Sequence, residues 1–206
     1  MKDYININKQ TWNTKTDIHI ASEFYDNDNF LQGKSTLNDI ELQLLGEISG
    51  KKILHLQCHF GQDTMTFSRM GAKATGVDLS DKAIERAREF ATKLQLDTTF
   101  ICCDIYDLPN HLNEKFDIVF TSYGTIGWFP DLDKWAKIIS HFLKPDGKFV
   151  FAEFHPVVWM FDNDFKDVFY NYFNVEPILE EESGTYADKE APLNAKTITW
   201  NHPISE

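Results

Sequence analysis

The feature that most constrains this chain is a regular exchange of strand-like and helix-like segments between residues 52 and 154. Lys52–Leu56 reads as a short buried strand and His59–Gln62 as a loop. Asp63 is placed to cap a helix carrying Met65, Phe67 and Met70, which Gly71 ends. Ala74–Val77 is a second strand, and Ser80 opens a helix with Ile84, Ala87, Ala91 and Leu94 on one face. Thr98–Cys102 and Phe116–Thr121 read as third and fourth strands. Asp131 starts another helix, whose inner face carries Trp135, Ile138, Ile139 and Phe142. The turn Lys144-Pro145-Asp146-Gly147 then leads into a fifth strand, Lys148–Phe154. This alternation predicts an α/β fold: a doubly wound, mostly parallel sheet covered on both faces. Ligands of such sheets sit beyond the carboxyl ends of the strands, where the strand order reverses. Any site therefore belongs on the loops starting near Gln57, Asp78, Cys103 and Ser122.

The flanks are less regular. Residues 1–36 form a polar and aromatic cap segment, with Trp12, Phe24, Tyr25 and Phe30 as its bulky members. The sheet unit is expected over residues 37–155. It opens on helically spaced Leu37, Ile40, Leu44, Leu45 and Ile48, with Gly50 as the stop. Residues 156–206 read as an aromatic-rich insertion or lid holding Trp159, Phe161, Phe165, Phe169, Tyr170, Tyr172 and Phe173. An acidic run, Glu180–Glu182, and one more short strand, Lys196–Trp200, follow. At 206 residues the chain suits one domain with a small appendage.

A formal net charge of −12 argues against broad binding to nucleic acid or to an anionic membrane. The amino terminus has no signal-like apolar run, and no eighteen consecutive apolar residues suggest a membrane span. Cys58, Cys102 and Cys103 offer neither metal-ligand spacing nor an even disulfide framework, so reduced thiols in the cytoplasm are the simplest expectation. No acidic cluster is spaced for a divalent metal, and none is expected.

Chemistry concentrates at three consecutive strand ends: Ile53-Leu54-His55-Leu56-Gln57-Cys58-His59-Phe60-Gly61, Thr75-Gly76-Val77-Asp78-Leu79-Ser80 and Phe100-Ile101-Cys102-Cys103-Asp104-Ile105. An acid ending the second strand accepts both hydroxyls of a ribose. An acid after the third accepts from the exocyclic amine of adenine. A loop close over the first strand leaves room for the rest of a nucleoside.

In these segments the chain resembles the class I S-adenosylmethionine-dependent methyltransferases. Their first motif is matched at Ile53, Leu54, Leu56, Cys58 and Gly61, while Asp78 fits the ribose acid and Asp104 the adenine-contacting acid. Phe116-Asp117-Ile118-Val119-Phe120 resembles the fourth strand, and Leu143-Lys144-Pro145-Asp146-Gly147-Lys148-Phe149 the turn before the fifth. The resemblance covers roughly residues 37–155. It implies S-adenosylmethionine as cofactor, with S-adenosylhomocysteine as product, and cofactor contacts at His55, Gln57, Gly61, Asp78, Leu79, Cys103, Asp104, Ile105 and Ser122.

The chain departs from the first motif at three places. His55 stands where the family usually has an acid, and Gln57 and His59 stand where it has glycines. A glycine is demanded where the backbone takes positive φ or approaches a ligand closely, and His59 tolerates such a backbone better than a branched residue would. Gln57 is placed to offer its amide to the methionine end of the cofactor. His55 is either a hydrogen-bonded core histidine or a group reaching that same end. An NAD(P)-dependent oxidoreductase uses the same sheet and the same ribose acid, but its fingerprint wants glycines at Gln57, His59 and Gln62. The other alternative is a protein of this fold that binds the nucleoside without catalysing transfer.

Methyl transfer from a sulfonium chiefly needs an aligned nucleophile, with a base where the acceptor carries a proton. Tyr123, Glu153 and His155, after the fourth and fifth strands, are the candidates for that base. The aromatic residues of 124–129 and 159–173, with Trp12, Phe24 and Tyr25, either roof an apolar pocket or pack an irregular extension. A small-molecule acceptor, aromatic or apolar, is expected, and no nucleic acid. The resemblance also implies a further helix and an antiparallel strand pair after the fifth strand. Residues 200–206 read as the lead-in to that helix, so the end is expected to lie beyond Glu206 or on a partner. Its loss would expose the sheet edge to pairing with another chain.

Overall fold

Successive residues of a strand point to opposite faces, so a strand apolar at every position needs cover on both sides. The computed structural model, which describes residues 3–162 and 164–206, shows how that cover is supplied. Strands β1 (Lys52–Leu56), β2 (Lys73–Asp78), β3 (Thr99–Cys102), β4 (Phe116–Ser122) and β5 (Leu143–Ala152) form one sheet, in the order β3-β2-β1-β4-β5. Every pairing in it is parallel. Helices α1 (Tyr4–Ala21) and α2 (Asn27–Leu31) precede the sheet unit, which contains α3 (Asp39–Leu45), α4 (Gln62–Arg69), α5 (Asp81–Lys93) and α6 (Leu132–Phe142). Ile53, Ile118, Phe120 and Val150 pack with Leu45 and Phe67 on one face. Their neighbours Leu54 and Val119 pack with Trp135, Ile139 and Phe142 of α6 on the other. The chain winds outward from β1 to β3, then returns to β4 and β5, so the strand order reverses between β1 and β4. The expected doubly wound α/β sheet is present.

Local chemistry explains most boundaries. Ser80 and Asp131 cap their helices as expected, accepting from the backbone of Ala83 and Lys134. Asp63 does not cap α4. That position belongs to Gly61, and Asp63 lies inside the first turn, bonded to Thr36. Helix α3 stops at Gly46 rather than Gly50, because Gly46 already takes a left-handed backbone (φ +64°). Strand β5 starts directly after α6, and the expected turn at 144–147 is an irregularity in its pairing with β4.

Two regions depart from the sequence expectation. Residues 4–21 form the longest helix, although no apolar stripe marks it. Its buried residues are Asn8, Thr11, Lys15, Thr16 and His19, a helical spacing filled by polar side chains. An antiparallel hairpin, β6 (Ile178–Ser183) and β7 (Asn194–Thr199), stands apart from the main sheet; β7 overlaps the strand expected at 196–200 but stops before Trp200, and no sequence pattern marks β6. Asn8 joins the two. Its amide donates to the Ile198 carbonyl at 2.8 Å and accepts from the Ile198 N–H at 2.9 Å, as a neighbouring strand would. Thr11 adds a bond to the Lys196 carbonyl, and Tyr4 packs edge-on against Trp200. Helix α1 and the hairpin thus form one roof. Among the described residues no helix is long and apolar enough to cross a membrane.

Candidate functional site

The loop after β1 follows a path suited to glycine without being made of it. Gln57, His59 and Gly61 all take left-handed backbone, with φ of +56°, +51° and +76°. For a residue with a side chain that conformation costs about 1–2 kcal/mol, so the surroundings must hold it. Gln57 donates its amide to the Thr125 carbonyl (2.8 Å), spanning the crevice between β1 and the loop after β4. The His59 backbone N–H donates to Asp78 (2.8 Å), and its ring nitrogens meet the Phe60 N–H (2.8 Å) and His19 (2.9 Å). Gly61 is required for space as well as φ, because an added Cβ would lie 2.4 Å from the Phe100 ring.

Asp78 ends β2 as expected. Its two oxygens accept from the backbone of His59 and of Ser80 (2.9 Å). Burial raises its pKa, and these backbone donors pull the other way. A carboxylate offers about four acceptor positions, so capacity remains for a diol. The Cys103 N–H donates to the Asp78 carbonyl (3.0 Å), which draws the tips of β2 and β3 together. Asp104 follows directly, half-buried, one oxygen accepting from the Tyr106 N–H (3.0 Å). Burial raises this carboxyl as well. The Cys103 and Ile105 side chains are buried in the core. Leu79 is half-buried beside Asp78, and Ser122 ends β4 across the crevice.

His55 takes the core reading. Its Nδ1 meets the Thr64 hydroxyl at 2.8 Å, and Phe67 and Phe120 wall the ring. Burial lowers its pKa to about 3, so it stays neutral. Glu153 is spent on structure, accepting from the backbone of Gly124, Thr125 and Phe154. It braces the loop after β4, where Tyr123 also has a left-handed backbone (φ +52°). His155 is exposed, and its Nδ1 accepts from the Val157 N–H. Glu153 and His155 line a groove of about 370 Å³ with Ile126, Leu132, Phe151 and His202.

Helix α1 crosses above these tips. Tyr4 at its start is close enough to Asp104 for the acid, after burial, to raise its phenol to about 12. Trp12 packs against Trp128 (5.3 Å between ring centres) and His59 (5.4 Å). His19 near its end packs against His59 and, at 4.7 Å, Tyr186. The hydroxyls of Tyr25 and Tyr186 bond to each other. For Trp12 and Tyr25 the sequence leaves roofing a pocket or packing an extension open, and it gives no sign of His19 and Tyr186, whose signal is a contact between distant segments. The later aromatics Phe165, Phe169 and Phe173 are exposed. Two buried atoms around the β1 loop have no hydrogen-bond partner among the described residues: Gln57 Oε1 and His19 Nε2. Paired acids at adjoining tips, a left-handed loop and unmet polar atoms beside it suit an adenosyl group with an amino-acid tail.

A family model described as "Methyltransferase domain" matches residues 48–194. This chain belongs to that family. The methyltransferase domain is 29% identical over 119 residues to a ubiquinone biosynthesis O-methyltransferase of Coxiella burnetii, covering 56% of this chain and 50% of the relative. It is 31% identical over 131 residues to an uncharacterized methyltransferase of Synechocystis, covering 63% and 59%. The chain spans about half the length of the first of these curated relatives. A solved S-adenosylmethionine-dependent methyltransferase from Clostridium acetobutylicum shares the fold with a TM-score of 0.56 at 20% identity, covering 75% of this chain and 68% of that one. Membership favours the methyltransferase expectation over the nicotinamide alternative.

Proposed function

We propose that this methyltransferase domain carries out S-adenosylmethionine-dependent methyl transfer to a small-molecule acceptor, releasing S-adenosylhomocysteine. The observation that carries the reading is the pair Asp78 and Asp104 at neighbouring strand tips, beside a loop left-handed at residues 57, 59 and 61. When bound, the cofactor supplies a methyl group already activated on a sulfonium. The chain's part is then to hold and align. Asp78 accepts from the ribose hydroxyls, Asp104 accepts from the adenine amine, and Gln57 Oε1 accepts from the ammonium of the amino-acid end. Residues 1–36 and 156–206 serve together as the roof over the sheet unit of residues 37–155. Its rings, Trp12 and Trp128 among them, exclude water and favour an aromatic or apolar acceptor.

The O-methyltransferase names of the relatives support a hydroxyl as the acceptor group. Of the three candidate bases, Glu153 serves as a brace and His155 as a cap, while the Tyr123 phenol sits with Asn38 and Glu41 at the start of α3. Calorimetric titration with S-adenosylhomocysteine and NAD tests the cofactor. Release of S-adenosylhomocysteine across a panel of hydroxylated acceptors tests the reaction. Tight binding of NAD with none of S-adenosylhomocysteine would overturn the reading.

A further inference from the structure

The contact between roof and loop locks one histidine into a single protonation pattern. The Phe60 N–H donates to Nδ1 of His59 at 2.8 Å, and a backbone amide can only donate. Nδ1 is therefore bare, and the one proton of the His59 ring sits on Nε2. That Nε2 lies 2.9 Å from Nδ1 of His19, so His59 donates and His19 accepts. The proton of His19 must then sit on its own Nε2, which is buried without a hydrogen-bond partner. While this chain of bonds stands, His19 Nε2 carries a proton that it can donate and cannot take up another. His19 can donate from this nitrogen and cannot act there as a base.

The surroundings say what it recognises. The Tyr25 and Tyr186 rings lie 5.2 and 4.7 Å from the His19 ring, and their hydroxyls bond to each other. That bond uses one hydroxyl proton and leaves the other. Half of Tyr186 is exposed, and burial still raises both phenols, Tyr186 to about 12, so both stay neutral. Two unspent donors thus share an aromatic enclosure in which an oxygen anion is bound more strongly than in water.

We propose that His19 Nε2–H, with the spare hydroxyl proton of the Tyr25–Tyr186 pair, receives the carboxylate of the cofactor's amino-acid end. The inference rests on the adenosyl reading of the site above. His59 supplies the link, since its backbone N–H bonds the ribose acid Asp78 while its ring orients His19. The amino-acid end leaves the ribose only a few bonds away. Gln57 Oε1, the unmet acceptor of the same loop, complements the donor as an ammonium complements a carboxylate.

Calorimetry with two ligands tests this on the full chain: S-adenosylhomocysteine, and 5′-methylthioadenosine, which lacks the amino-acid end. His19→Ala should weaken S-adenosylhomocysteine binding roughly 10- to 100-fold and leave methylthioadenosine binding within about twofold of the unsubstituted protein. Equal weakening for both ligands would overturn the proposal, because His19 would then only hold the roof in place. Unchanged S-adenosylhomocysteine binding would overturn it too. If the variant does not fold, nitrogen-15 spectra of the unsubstituted protein decide. The His19 Nε2–H resonance should move with S-adenosylhomocysteine and not with methylthioadenosine; the same response to both sinks the idea. If the unsubstituted protein binds both ligands equally tightly, the carboxylate contact alone fails. If it binds neither, the adenosyl reading fails first.

Discussion

Below the strand tips and above them, the molecule is held together by different forces. Under the tips, Ile53, Phe67 and Phe120 on one face of the sheet and Leu54 and Phe142 on the other are wholly buried, and burial of apolar area does the holding. Above the tips, α1 turns Asn8, Thr11, Thr16 and His19 inward and meets the hairpin through hydrogen bonds. Apolar contact is non-directional and cooperative, whereas each hydrogen bond contributes only about 1 kcal/mol net and only in the right geometry. A roof held this way opens at a lower free energy than the sheet unfolds. That difference suits a site which must admit one ligand between tips and roof while the tips keep their spacing.

The contrast can be broken from either side. Phe120→Ala strikes the sheet unit and should cost about 3–5 kcal/mol in urea unfolding, the effect of a large cavity in a packed core. A loss under about 1 kcal/mol would mean the sheet does not carry the stability. Asp78→Ala strikes the boundary. It should weaken S-adenosylhomocysteine binding by roughly 30- to 100-fold in calorimetry, with a smaller loss in urea than Phe120→Ala. Unchanged affinity would remove the ribose contact. Asn8→Ala strikes the roof alone. It leaves the buried N–H and carbonyl of Ile198 unmet and should cost about 1–2 kcal/mol locally. The expected signature is faster hydrogen exchange at the Ile198 amide with the global midpoint nearly unmoved; a cooperative drop in the midpoint would make roof and sheet one unit.

The smallest effect concerns Asp63, behind the β1 loop. Burial pushes its carboxyl up from 3.8 to about 6. The folded protein therefore keeps this proton over a range where the unfolded chain has released it, and stability falls as pH rises between about 4 and 6. Asp63→Asn should remove that slope and leave the variant more stable at pH 8 by on the order of 1 kcal/mol. Parallel stability curves for the two proteins from pH 4 to 8 would show that Asp63 titrates normally.

How far each region could be read in advance follows from the same contrast. The five strands and α3 to α6 announce themselves because burial repeats with the period of the element, as in Trp135, Ile138, Ile139 and Phe142 along α6. The misplacements among them are at ends: Gly61 rather than Asp63 caps α4, Gly46 rather than Gly50 stops α3, and β5 starts at Leu143, ahead of the expected turn. Helix α1 has the right period in the wrong chemistry, since its inward residues are polar and an apolar pattern cannot find them. Strand β6 was hidden for a similar reason, carrying the acidic run Glu180–Glu182.

For the site, the strand tips were legible and the roof was not. Asp78 and Asp104 follow from where strands end, a local property, and so does the left-handed loop at Gln57, His59 and Gly61. The sequence by itself thus determined the sheet, its order of elements and the acids at its rim. Only the tertiary structure decided that His55 is a core residue, that Glu153 braces a loop, and that His19, Tyr25, His59 and Tyr186 converge. The physical reason is separation: His55 and Thr64 lie on different elements and the other contacts join residues far apart along the chain, where no local period connects them, and a hydrogen bond exists only once folding has set both partners within reach.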